Sequence, residues 1–129
     1  MTRRIVTVDM DDPLSTVREI FDKAGFHHLL VVGSDKTLCG VISDRDLLRA
    51  LSPYLGTLSE THRDTDGLKR HAHQVMSRHP KTLKSDATVG DATQLFLEHP
   101  LSCLPVVDDA FKPVGIMSWR DVLRHLAAL

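Results

Sequence analysis

A chain of 129 residues, 42% hydrophobic and 26% charged, has the composition of a globular domain and argues against disordered, collagen-like and disulfide-scaffold classes. Its length suits one compact domain or two very small halves rather than a large multidomain enzyme. Sixteen Lys and Arg against seventeen Asp and Glu leave a formal charge of -1, so there is no long-range attraction for nucleic acid or for an anionic membrane, and any anion must be met locally.

In chain order, Val6-Thr7-Val8 reads as a short extended segment, followed by Asp11-Asp12-Pro13, a capping carboxylate and a first-turn proline. Leu14, Val17, Ile20, Phe21 and Ala24 then recur at helical spacing, and Gly25 is the expected stop. Two strand-like runs follow, Leu29–Val32 and Cys39–Ser43, on either side of the polar turn Gly33-Ser34-Asp35-Lys36. A short helix carrying Leu47, Leu48 and Leu51 closes the unit. Residues 52–74 form a connector that begins Ser52-Pro53-Tyr54 and ends in a predicted helical stretch from Leu68 to Met76.

The second half repeats the first. At an offset of 75 residues, positions 7–51 lie over 82–126 without a gap, and 13 of the 45 pairs are identical, where chance gives about three. Thr7/Thr82, Asp11/Asp86, Phe21/Phe96, Gly40/Gly115, Ser43/Ser118, Arg45/Arg120 and Asp46/Asp121 are among them. The second unit therefore runs through Thr82-Leu83, a helix with Val89, Ala92, Leu95 and Phe96 ending at Pro100, the strands Leu104–Val107 and Val114–Ser118, and a last helix with Val122, Leu123 and Leu126. Each unit is β-α-β-β-α. At about 50 residues neither buries enough surface alone, so the two apolar faces are expected to pack on each other with pseudo-two-fold symmetry. The division is repeat 1 at 1–51, connector at 52–74 and repeat 2 at 75–129.

Each copy ends a strand and starts a helix on Gly-apolar-apolar-Ser-x-Arg-Asp: Gly40-Val41-Ile42-Ser43-Asp44-Arg45-Asp46 and Gly115-Ile116-Met117-Ser118-Trp119-Arg120-Asp121. A serine at such a turn caps the helix and leaves first-turn amides able to receive a phosphate. The aspartate three residues on either reaches back in a capping box or accepts two hydrogen bonds from a vicinal diol such as ribose. Spacing alone does not choose between the two.

With these motifs in register, and with Leu104-Pro105-Val106-Val107-Asp108 and the lead-in Val75-Met76-Ser77-Arg78-His79-Pro80-Lys81-Thr82, the chain resembles a tandem pair of CBS domains, a Bateman module. The resemblance implies an α+β (α/β) fold and a regulatory, non-enzymatic role: binding an adenosine-containing ligand, AMP, ADP, ATP, S-adenosylmethionine or NAD, in clefts between the repeats and signalling to a separate effector protein. It implies that Asp46 and Asp121 hold ribose hydroxyls, with Ser43 and Ser118 beside ribose and phosphate. Arg45 and Arg120 become phosphate contacts, Thr7 and Thr82 line the clefts, and backbone near Val31, Val32, Val106 and Val107 frames an adenine. The first copy departs from the pattern, with Leu30 where Pro105 stands and Gly33 for Asp108, so the clefts are expected to be unequal.

Other chemistries find less support in the residues. Cys39 and Cys103 stand alone and read as small hydrophobes in a reducing compartment. Eight histidines, notably His27-His28 and His71-Ala72-His73, lack zinc-motif spacing and read as solvent-facing, so no metal site is expected. Nucleophile-elbow, Walker, GxGxxG and HExxH patterns are missing. Without an apolar h-region or an 18-residue apolar run, the expectation is a cytoplasmic protein with no membrane insertion. A homodimer through equivalent helices is expected. The competing reading is a ligand-free protein–protein interaction module.

Overall fold

In the computed structural model, which describes residues 3–24, 27–51 and 67–129, the first half runs β1 (Thr7–Asp9), α1 (Leu14–Ala24), β2 (His28–Val32), β3 (Leu38–Ser43) and α2 (Asp44–Ala50). Two 3-10 turns, Gly67–Lys69 and Ala72–Gln74, lead through β4 (Ser77–Arg78) into β5 (Leu83–Lys84), α3 (Val89–Glu98), β6 (Cys103–Val107), β7 (Pro113–Ser118) and α4 (Trp119–Ala127). The β-α-β-β-α order expected of each repeat is the order found, an α+β architecture of two small sheets. Gly25 and the connector start at Ser52-Pro53-Tyr54 lie outside the described residues. None of the described helices is long and apolar enough to cross a membrane.

The sheets are built alike. β1 pairs parallel with β2, and β2 antiparallel with β3, so that His28 faces Ser43 and Val32 faces Leu38. In the second sheet β5 pairs parallel with β6, and β6 antiparallel with β7, so that Cys103 faces Ser118 and Val107 faces Pro113. Register shifts fall at Val31/Val32 and Val106/Val107, equivalent places in the two copies. The hairpin turns also match: Lys36 and Phe111, 75 residues apart, both take positive φ, 68° and 60°. Gly33 and Asp108 each donate an N–H across the turn, to the carbonyls of Thr37 and Lys112. β4, from the lead-in to the second repeat, joins the first sheet beside β3.

Alternation along the strands divides the apolar residues between two layers. Leu29, Val31 and Ile42 face the core of the first repeat with Leu14, Val17 and Leu47, while Leu104 and Val106 face that of the second with Ala92 and Phe96. The intervening residues Leu30, Val41, Cys103 and Val107 meet with Leu38 in a third cluster between the sheets. Each central strand is thus buried on both faces, which explains why the runs read as continuously apolar. The Phe111 carbonyl, accepting from the Leu38 N–H at 3.0 Å, ties the turn of one repeat to a strand of the other.

Two local expectations are corrected. Leu68–Met76 is not one helix, because its backbone is drawn sideways: the Leu14 N–H donates to the Arg70 carbonyl, the Ala72 N–H to that of Asp12 and the His73 N–H to that of Met10, around an isolated bridge between Pro13 and His71. The Asp12 carboxylate accepts from the Asp9 N–H at 2.8 Å and so closes the preceding turn rather than capping α1.

Candidate functional site

Both Ser-x-x-Asp motifs form complete capping boxes. The Asp46 N–H donates to Ser43 Oγ at 3.1 Å and the Ser43 N–H to Asp46 Oδ2 at 2.9 Å. In the second copy the Ser118 N–H donates to Asp121 Oδ2 at 2.8 Å, Ser118 Oγ donates to the same oxygen at 3.2 Å, and the Asp121 N–H reaches Ser118 Oγ at 3.4 Å. Capping uses Oδ2 in both copies and leaves Oδ1. In Asp121 that second oxygen stands 3.8 Å from the exposed Arg124 guanidinium.

The hairpin registers decide what lies beside these motifs. His28 is the cross-strand partner of Ser43 and Cys103 that of Ser118, and a 3.0 Å hydrogen bond between His28 Nε2 and Ser102 Oγ joins the two repeats at this level. The cross-strand partners of the two motif serines, His28 and Cys103, therefore share one inter-repeat cleft of about 180 Å³, lined also by Val41, Ser77, Pro80, Lys81, Pro100, Leu101, Ser102 and Pro105. Its wall is apolar at Val41 and Pro105, and its polar groups are His28, Ser77, Lys81 and Ser102. Trp119, the first residue of α4, donates its indole N–H to the Leu101 carbonyl at 2.8 Å and holds the Pro100–Ser102 segment in place.

The electrostatics of the cleft follow from its depth. Burial pushes the His28 imidazole below its ordinary value of 6.5, against the opposing pull of Asp44, while His27 lowers it further and Asp46 raises it. His28 is neutral at pH 7 and serves as a hydrogen-bonding group. Burial also drives the Cys103 thiol up to about 12, so it stays protonated and acts as apolar wall. Nearby, the His27 hydrogen bond at 3.0 Å holds the Asp44 carboxyl below the usual range.

None of the twelve residues named from sequence lines this cleft. Thr82, half-buried, immediately follows Lys81 and precedes β5; Thr7 is exposed on β1 opposite Leu30. Arg45 and Arg120 are exposed on the first turns of α2 and α4. Asp46 lines a separate shallow depression of about 260 Å³ with Arg49, Ala50, Arg70 and Val75. Val32 and Val107 are buried at the far ends of their hairpins, four residues or about 13 Å along the strand from His28 and Cys103. Val32 lines another depression, with Asp9, Asp11 and Lys36. His28, Lys81, Ser102 and Cys103 are the residues that sequence reasoning passed over. Extending each antiparallel hairpin from its turn to the motif serine identifies His28 and Cys103, because the turn lengths set that register.

The fold defines a module of two β-α-β-β-α repeats packed across a shared cleft. The CBS-domain family model matches residues 1–53 and again 72–128, and the chain belongs to the CBS-domain family, carrying the domain twice. A CBS domain-containing protein of Dictyostelium discoideum is 29% identical over 125 residues, covering 95% of this chain and 85% of that protein. An uncharacterized protein of Methanocaldococcus jannaschii is 33% identical over 129 residues, which is 98% of this chain but 27% of the longer relative. Among solved structures, CBSX2 of Arabidopsis thaliana in complex with AMP has a TM-score of 0.80 at 26% identity, covering 99% of this chain and 92% of that one.

Proposed function

We propose that this chain is a regulatory module, not an enzyme, that binds an adenosine-containing ligand between its repeats and passes the resulting change to a separate effector protein in the cytoplasm. Residues 1–51 and 75–129 act as the two repeats and 52–74 as their connector. The observation that carries the reading is one inter-repeat cleft lined by the strand partners of both motif serines, His28 and Cys103, and bridged by the His28–Ser102 hydrogen bond. A flat base suits the apolar wall at Val41 and Pro105; Asp121 Oδ1, not used in capping and exchanging Arg124 for ligand, suits a ribose diol; Lys81, with Arg120, suits a phosphate. The similarity to CBSX2, solved with AMP, supports adenine over other bases. At about 180 Å³ the cleft is smaller than the roughly 300–1,000 Å³ of drug-sized sites, so binding a whole nucleotide widens it. That widening is the signal, a shift between two relative orientations of the repeats.

Thermal unfolding with AMP, ADP, ATP, S-adenosylmethionine and NAD tests this. The cognate ligand raises the midpoint by mass action, equivalent to about 2.7 kcal/mol at a hundred times its Kd. Asp121→Ala weakens that ligand about tenfold or more, from loss of a charged acceptor worth roughly 1.5–3 kcal/mol. Because Asp121 also caps α4, its removal costs stability as well, about 0.5–2 kcal/mol, so affinity is measured by calorimetry on folded protein. Absence of any shift with all five ligands favours the second reading, a ligand-free interaction module. That reading has its own observation, the exposure of Leu48 on α2 and of Leu123 and Leu126 on α4.

A further inference from the structure

His71 and His73 have no ligand-like spacing in the sequence, but the fold supplies them with a third donor. Asp11, in the turn between β1 and α1, is brought beside them from 60 positions upstream of His71, and one ligand atom from each of the three lies within 4.8 Å of the others. Donors around a single ion at about 2.0–2.2 Å lie roughly 2.8–3.6 Å apart, from octahedral to tetrahedral geometry, so small side-chain rotations close the set.

The surrounding backbone already holds the three residues in place. The His73 N–H donates to the Met10 carbonyl at 3.1 Å and the Ala72 N–H to that of Asp12 at 2.8 Å, while Arg78 Nη2 donates to the His73 carbonyl at 3.0 Å. The two imidazoles stack, centroids 5.5 Å apart and 24° from parallel. His71 Nδ1 donates to the Asp11 main-chain carbonyl at 2.7 Å. That bond selects the tautomer with its lone pair on Nε2, the second-sphere arrangement that orients metal-binding histidines. Asp11 and His71 are exposed and His73 is half-buried, so an ion has a path in from solvent.

We propose that Asp11, His71 and His73 form a binding site for a divalent transition-metal ion of the zinc or nickel class, with water completing its coordination. Two imidazoles and one carboxylate select such ions over Mg²⁺ and Ca²⁺, which prefer all-oxygen sets. The ion staples the connector, which carries both histidines, to the first repeat, which carries Asp11.

Isothermal titration calorimetry of the tag-free, chelator-stripped full chain with ZnCl2, NiCl2 and MgCl2 tests the site. The expected result is one equivalent of Zn²⁺ or Ni²⁺ with a Kd below about 100 μM, weakened at least about tenfold in both Asp11→Asn and His73→Gln and unchanged in His125→Gln. Circular dichroism checks that each variant is folded, and the exposed Asp11 supplies the informative variant if His73→Gln is not. Absence of saturable binding overturns the proposal. So does binding that survives Asp11→Asn, binding lost equally in His125→Gln, or Mg²⁺ binding as tight as Zn²⁺.

Discussion

His28 occupies a position with opposing demands. It pairs with the cap residue Ser43, bonds Ser102 of the other repeat, and is neutral because burial outweighs the attraction of Asp44 and Asp46. Its folded pKa lies below its unfolded value of 6.5, so in the window between them the unfolded chain binds the extra proton. The stability that His28 contributes is therefore complete above about 6.5 and is lost as the pH falls through the folded value. Asp44, whose carboxyl is held low by His27, makes its loss at lower pH. Urea midpoints measured from pH 8 to pH 5 are expected to fall on the acid side, and His28→Gln to flatten that fall; parallel curves for the two proteins would refute the assignment. The same protonation adds a cation to the cleft and breaks the acceptor role of Nε2 if Ser102 is the donor, so ligand affinity is expected to change over the same range.

At the scale of elements, the hairpins carry most of the design. The continuous apolar strand runs, the polar turns and the Ser-x-x-Asp spacing were legible in the sequence, because each is a local pattern with a local physical cause. Gly40 shows where local reading stops. A Cβ there would stand 2.5 Å from Met76 Sδ and 2.8 Å from the Ser77 carbonyl oxygen, since the Met76–Ser77 entry into β4 packs closely against β3 where the two strands pair. The methionine can yield but the carbonyl cannot, so Gly40→Ala is expected to destabilise the fold by about 1–3 kcal/mol through displacement of β4. A denaturation midpoint equal to that of the parent chain would contradict that close packing. The connector failed as a predicted helix for a related reason: its backbone donors found partners in the β1–α1 turn, a tertiary contact that helical periodicity in Leu68–Met76 does not register.

For the whole molecule, the question is what covers the exposed leucines. Leu48 and Leu123 occupy the same place in the two repeats, 73% and 58% exposed, and Leu126 lies one turn further along α4 at 56%. Equivalent apolar helix faces in a pseudo-symmetric body suit an isologous contact. The expected solution state is a homodimer, and Leu123→Glu combined with Leu126→Glu is expected to halve the mass seen by light scattering while leaving circular dichroism intact. A parent chain that is monomeric at micromolar concentration would remove the dimer and leave these faces for the effector.

By itself the sequence determined the tandem repeat, the element order and the Ser-x-x-Asp spacing, because these depend on periodicity and on patterns within a few positions. The tertiary structure alone decided which residues line the cleft and which donors meet in the connector. His28 reaches Ser102 across 74 positions and Asp11 meets His71 and His73 across about 60, and such meetings depend on strand register and on how one repeat packs against the other. A one-residue change of register would have turned His28 to the opposite face, with no change in the composition, the repeat or the motifs.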